Sequence, residues 1–243
     1  MRYGLAILLM LALFAEASAA SPIRAATIDR DPFGFRDADG TAQGVSVDVF
    51  RLVANRLGRP LEVQFGEVDE ISDGILTARI DLAVMYAHPE LDQATICVGP
   101  LMEIATGVLT QRPLRDYADL SGLTIGYIAA TPVDVRFDAD AELKKVPFRT
   151  VADAFAAYVG GSVDAIAGPL QYLFYQAPQY AARKGELFHV LPLQNRRMWL
   201  YVRTAAFSAE ERDIIARSVA DMLEGNMIES FSDHYFGARV GLR

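Results

Sequence analysis

The chain holds a single cysteine, Cys97, among 243 residues. One thiol excludes an internal disulfide, and this one lies too far from the N-terminus to be the lipid-bearing first residue of a bacterial lipoprotein. Its apolar neighbours, Thr95-Ile96-Cys97-Val98, point to a buried, inert side chain. Histidine is nearly as scarce. His88, His189 and His234 are widely spaced, and without a second cysteine they form no zinc pattern. Basic residues are outnumbered, 23 Lys and Arg against 31 Asp and Glu, for a formal charge of −8. That balance speaks against nucleic acid as a partner, because phosphates need Lys and Arg. No Gly-x-Ser-x-Gly, phosphate-binding loop or dinucleotide fingerprint occurs. Asp37-x-Asp39 opens like a calcium loop, but Ala42 stands where a glycine is required and Asp48 where a glutamate is required; a hairpin turn is expected instead. No cofactor or metal is implied.

Long apolar runs are also missing, apart from one. Leu5 to Phe14 form an unbroken apolar stretch of ten residues after Arg2, and Ala17-Ser18-Ala19 follows as a small-x-small pattern. Ten residues are too few to span a bilayer, so residues 1–19 read as a secretory signal peptide that directs the chain to the periplasm. Its removal takes away Arg2 and Glu16 and leaves the charge unchanged. The full chain is 52% hydrophobic and 22% charged, ordinary for a globular protein and unlike a disordered one.

What is present is an alternation of short β-type runs with helical ones, which predicts an α/β fold. Ile23–Ile28, the alternating Leu61, Val63 and Phe65, and Ile80–Met85 read as strands; Val45, Val49, Leu52, Val53 and Leu57 follow helical spacing, with Gly58 just past the end. Residues 71–78 suit a further helix. The theme restarts beyond residue 105, with strands at 123–128 and 163–167 and a helix opened by Thr150 with Asp153. Ser208 and Glu211 form a capping box before the apolar stripe Ile214, Ile215, Val219, Met222 and Leu223, which Gly225 ends. A helix-to-strand unit occurs twice, 83 residues apart, with Asp81 and Asp164 at matching points. Two similar lobes are the expectation.

Five segments, in order, resemble the family of solute-binding proteins that serve ABC importers of amino acids and related polar solutes. They are Asp31-Pro32-Phe33-Gly34-Phe35 followed by Asp37-Ala38-Asp39-Gly40, Gly44 and Asp48; Gly74 to Met85; Leu120 to Gly126; Gly161 to Ile166; and Trp199 to Arg203 with the capped helix and Tyr235-Phe236-Gly237. The resemblance implies the type II periplasmic binding fold: two Rossmann-like α/β lobes joined by two crossover hinge segments, near 106–111 and 198–203. Lobe one would comprise residues 22–107 plus 203–243, lobe two residues 108–202. A small-molecule ligand would lie in the cleft between them, delivered by a monomer to the membrane permease of an ABC importer.

The resemblance also says which residues should hold an amino acid, and two are absent. The arginine that grips the α-carboxylate is replaced by Leu91 in His88-Pro89-Glu90-Leu91, and the acid that pairs with the α-ammonium is replaced at Gly168-Pro169. Arg30 stands where relatives carry a stacking aromatic; a guanidinium there can read an anion, a carboxylate or a planar group. Tyr86 and His88, at the end of a strand, can donate hydrogen bonds to ligand. Thr131 matches the family's Gly-Thr loop, with Ala130 for the glycine and Pro132 suited to a first helical residue, so that a hydroxyl and helix-start N–H groups would meet a negative group. Asp29 and Gln171 complete the candidate ligand-binding set. The implied function is therefore capture of a small polar, anionic solute rather than a free α-amino acid. Two alternatives share the fold: a non-transport relative that accompanies a periplasmic quinoprotein dehydrogenase, and a cyclohexadienyl dehydratase-like enzyme, for which Glu67, Glu70 or Asp29 would supply the cleft acid.

Overall fold

In the computed structural model the described residues are 21–129, 131–174, 177 and 188–236. The expected signal peptide, Ala130 and Gly237 lie outside them. Strands β1 (Ile23–Ile28), β4 (Leu61–Gly66), β5 (Leu82–Tyr86), β6 (Thr95–Thr110), β7 (Thr124–Ile128), β8 (Lys144–Phe148), β9 (Ala165–Pro169) and β10 (His189–Arg203) form one mixed sheet in the order β4-β1-β5-β10-β6-β9-β7-β8. The short strands β2 (Phe35–Arg36) and β3 (Ala42–Gln43) pair as a hairpin. Its turn is held by the Asp37 carboxylate, which accepts from Asp39 N–H, Thr41 N–H and the Gln43 amide. The turn expected in place of a calcium loop is what forms.

The sheet has two parallel halves, β4-β1-β5 and β9-β7-β8. The strands β1, β5 and β9 are buried almost residue after residue, as parallel strands covered on both faces must be, whereas the outermost strands β4 and β8 are only partly covered. The antiparallel pair β6 and β10 runs through both halves. β5 pairs with Met198–Val202 of β10, whereas β9 pairs with Thr106–Thr110 of β6. Between these stretches, Glu103–Ala105 face Asn195–Arg197 and pair with nothing else. Among the described strands, these two bridge the halves.

Helix α1 (Val45–Leu57) buries Val45, Val49, Phe50 and Val53, and Gly58 closes it at a left-handed φ of 62°, which suits a residue without Cβ. Helix α2 (Val68–Leu76) starts three residues before the expected Ile71, because the Glu70 carboxylate accepts the Glu67 N–H at 3.1 Å and caps an earlier turn. Helix α3 is short (Val135–Ala139). Helix α4 (Val151–Val159) is capped as expected: Thr150 Oγ accepts from Asp153 N–H at 3.1 Å. Helices α5 (Ala209–Glu224) and α6 (Met227–Phe236) close the chain against the first half. The Ser208–Glu211 capping box is present, and Ile215, Val219 and Met222 join Val49, Phe50 and Val53 in one core. Arg56–Asp221 at 2.8 Å, Arg59–Glu211 at 3.0 Å and Tyr235 Oη donating to Asp48 at 2.9 Å tie these helices to α1 and its flank.

The internal echo is exact at the level of the backbone. Asp81 N–H donates to Arg24 C=O at 2.7 Å and the Asp81 carboxylate accepts Arg24 N–H at 3.1 Å. Asp164 does the same to Thr124, at 2.7 and 2.8 Å. In each half an aspartate just before the third parallel strand clamps the first residues of its neighbour.

Two expectations fail. Cys97 is exposed rather than buried, because the apolar stretch around it lies on the outer part of β6 beyond β5 and β9. Desolvation and the Asp92 charge still hold its thiol above the ordinary value, against a hydrogen bond with Tyr201. No helix begins at Pro132. Asp134 is the cap of α3, accepting from Arg136 and Phe137 N–H at 2.8 and 3.2 Å, and leaves Thr131 in the preceding turn.

Candidate functional site

The bridge places strand ends of both halves around a cleft, the position where open α/β sheets offer a ligand site. Three adjoining cavities of about 630, 340 and 30 Å³ share Arg30 and Glu67 in their walls. The largest has room for a small solute; the smallest holds no more than a water or two.

Arg30 reaches the cleft from a tight loop after β1. Arg30 C=O accepts from Phe33 N–H and Gly34 N–H, and Arg30 N–H donates back to Gly34 C=O. Phe33 is fully buried and anchors the loop edge-on against the Tyr172 ring, 5.0 Å between centroids. Gly34 is needed here, since a Cβ would lie 2.4 Å from Thr27 Cγ2. The guanidinium, with 19% of its side chain exposed, donates to Thr131 Oγ1 in the opposite half and lies 3.6 Å from Glu67.

Tyr86 ends β5 and faces all but the middle cavity. Burial pushes its hydroxyl up to about 12, against the nearby Arg196 and Arg30, so it remains a donor. Arg196, from the two-stranded bridge, stands 5.0 Å from its ring centroid. His88 lines the largest cavity; its N–H donates to Tyr201 Oη at 2.7 Å and its Nδ1 is buried without a partner. Asp29 is exposed at the rim of the middle cavity. Gln171 is not in the walls of these cavities; its amide donates to Glu103 C=O at 3.4 Å. Leu91 is completely buried among Ile71, Ile75 and Met85 and does not line these cavities. Gly168 and Pro169 lie buried in β9, paired with Gly107 and Thr106, and present no acid.

Sequence reading overlooked three wall residues. Arg149 precedes the cap of α4, Arg196 sits in a polar stretch that breaks the apolar pattern of β10, and Tyr172 looks like a helix packing residue. Only Arg149, immediately before a helix N-cap, carried a local signal. Ten arginines among the described residues pair with carboxylates. Arg149 and Arg196 do not, and both face the largest cavity. The N-terminal end of α4, with its positive dipole, borders the middle one through Thr150 and Val151.

This architecture is matched at the level of sequence: residues 23–238 fit the model of the bacterial extracellular solute-binding proteins, family 3. The chain belongs to that family. Solved structures with the same fold include the solute receptor for L-cysteine of Neisseria gonorrhoeae, with 22% identity over 88% of this chain and 89% of that one, TM-score 0.69. A periplasmic His/Glu/Gln/Arg/opine family-binding protein from Silicibacter pomeroyi, in complex with lysine, has 21% identity over 91% and 100%, TM-score 0.66. The ancestral amino acid-binding protein AncCDT-1, described as a precursor of cyclohexadienyl dehydratase, has 19% identity over 88% and 95%, TM-score 0.68. At these identities the likeness speaks for the type II periplasmic binding fold. No curated protein sequence matches the chain. Among the described residues of this family-3 protein no helix is long and apolar enough to cross a membrane, and no three His, Cys, Asp or Glu side chains are grouped to hold a metal.

Proposed function

We propose that this chain is a periplasmic solute-binding protein that captures a small polar anion in the cleft and delivers it, as a monomer, to the permease of an ABC importer. The carrying observation is that Arg149 and Arg196 face one cavity of about 630 Å³ with no carboxylate partner among the described residues, whereas Arg30 in the same wall is paired with Glu67. The walls of that cavity carry three guanidiniums against Glu67 and Asp69. A carboxylate or phosphate suits such a site, because planar guanidinium forks bind both with paired, charge-assisted hydrogen bonds. Arg30, Tyr86, His88 and Thr131 supply further contacts, and Asp29 sits at the rim. The reading takes residues 22–107 with 203–243 as one lobe and 108–202 as the other, the leader 1–19 having been removed, with closure of the lobes as the binding motion. An amino acid held as in relatives is disfavoured by Leu91 and by Gly168-Pro169.

The test is thermal unfolding with panels of mono- and dicarboxylates, organic phosphates, sugars, amines and amino acids. At one hundred times its Kd a ligand stabilises by about 2.7 kcal/mol, and the anions should do so for the natural chain but not for R149Q/R196Q. If no anion stabilises the protein, the reading fails. Turnover of a prephenate-like acid would support the dehydratase alternative, whose nearest trace is the resemblance to AncCDT-1; copurification of a quinoprotein dehydrogenase would support the other.

A further inference from the structure

Arg30 does more than line a wall. Its side chain extends from the first half of the sheet, donates to Thr131 Oγ1 in the second and approaches Glu67 at 3.6 Å. On the inner side it leaves a remnant of about 30 Å³ between Tyr86, Tyr172, Met85 and Met198. Apart from Arg30 itself, Glu67 is the one charged group on the walls of that inner end. Tyr172 is 4% exposed, and its hydroxyl is buried there without a hydrogen-bond partner. A hydroxyl acceptor (Thr131), an unpaired phenol oxygen (Tyr172), a carboxylate (Glu67) and an aromatic wall (Tyr86) are the surroundings a guanidinium requires.

We propose that Arg30 is a tethered ligand: the inner end of the cleft is a guanidinium-binding site, filled in cis by Arg30, which clasps the two halves together before any solute arrives. The inference goes beyond anion capture by Arg149 and Arg196 in the outer cavity and stands without it. The tethered side chain donates to Thr131 and leaves the Tyr172 oxygen without a partner; a free guanidinium, with its donors unconstrained, has Thr131, Glu67 and Tyr172 on the same walls. A buried hydroxyl left without a partner is destabilising, so this site is incompletely satisfied by its own chain. An external solute then binds beside a closed inner end, and the halves open when the Arg30–Thr131 contact breaks.

The test uses R30A, R30M and T131V in the mature chain, with methylguanidinium as probe and sodium chloride at equal ionic strength as control. R30A should bind methylguanidinium at least tenfold more tightly than the natural chain, read as a rise in unfolding temperature. R30M, whose side chain refills the space without donors, should not respond. X-ray scattering of the solute-free proteins should show R30A and T131V expanded relative to the natural chain, with methylguanidinium compacting R30A. A folded R30A with no response beyond sodium chloride overturns the proposal. If R30A does not fold, T131V decides: scattering identical to that of the natural chain overturns the clasp, and expansion supports it. Arg30 also lines the anion cavity, so anion binding is read through R149Q/R196Q, which leave Arg30 and Thr131 unchanged, and its failure is thereby distinguishable from failure of the clasp.

Discussion

The matched aspartates Asp81 and Asp164 allow one experiment to separate topology from burial. Both clamp the neighbouring strand through the same two backbone contacts, yet their surroundings differ. The Asp81 side chain is 5% exposed and receives Arg24 Nη2 at 2.8 Å, Arg24 Nε at 2.9 Å and Arg203 Nη2 at 2.6 Å. The Asp164 side chain is 42% exposed, and its single cation, Arg112, is 3.8 Å away. D81N keeps the shape and removes the charge that pairs two guanidiniums, 35% and 14% exposed, leaving Arg24 only the more distant Glu62. Breaking a buried pair in this way costs about 3–5 kcal/mol; Arg24 is partly solvated, so about 3 kcal/mol is expected, or about 6–12 °C in unfolding temperature for a chain of this size. D164N keeps an oxygen for Thr124 N–H and loses one exposed ion pair, about 0–1 kcal/mol. Desolvation pushes the Asp81 carboxyl up, but hydrogen bonds from Arg24 and Arg203 outweigh it and the net displacement is downwards. A folded-state value below the unfolded one means that Asp81 stabilises above the ordinary carboxylate range, near pH 4, and that this stability is lost as pH falls through the lower folded value. The gap between the natural chain and D81N should therefore be constant from pH 5 to 7 and close below about pH 4. Urea or thermal unfolding across that range is the assay. Equal losses in D81N and D164N, or a D81N gap that persists at the acid end, would refute the reasoning.

Two further substitutions probe the cleft's supports. Gly44 holds φ 120°, and a Cβ there would stand 2.5 Å from Phe33 C=O; G44A should cost at least about 2 kcal/mol by urea unfolding and displace the loop that aims Arg30. L91R, which writes the family's arginine back into the sequence, should fail to restore amino-acid binding and should destabilise by several kcal/mol, because the side chain enters the Ile71, Ile75 and Met85 core as an unpaired charge; calorimetric titration with amino acids and thermal unfolding read the two effects.

The legible part of the fold is the part fixed by local rules. Apolar runs gave β5 and β9, because a strand covered on both faces has few polar residues to interrupt it, and β1 and β7 were legible as largely apolar runs that Arg24, Thr27 and Thr124 mark only in part. Thr150–Asp153 and Ser208–Glu211 marked helix starts, because the N-terminal N–H groups need an acceptor close in sequence. At Glu67 the same rule operated with less familiar residues, and the start of α2 was read three residues late. The full run of β6 and β10 was opaque for the opposite reason. At the bridge, Asn195 to Arg197 are polar because they leave the sheet cores and pair only with Glu103 to Ala105, so no hydrophobic period survives there.

The sequence by itself determined an α/β chain with a doubled unit and a net acidic charge. Each of those statements depends on residue type or near-neighbour spacing. Only the tertiary structure decided what stands in the cleft. Arg30 and Thr131 are 101 positions apart and meet through one hydrogen bond; Arg149 and Arg196 come from a helix cap and from the bridge and share one cavity. Side chains that converge from separate elements leave no local pattern, since what selects them is the space and the unpaired charge around them.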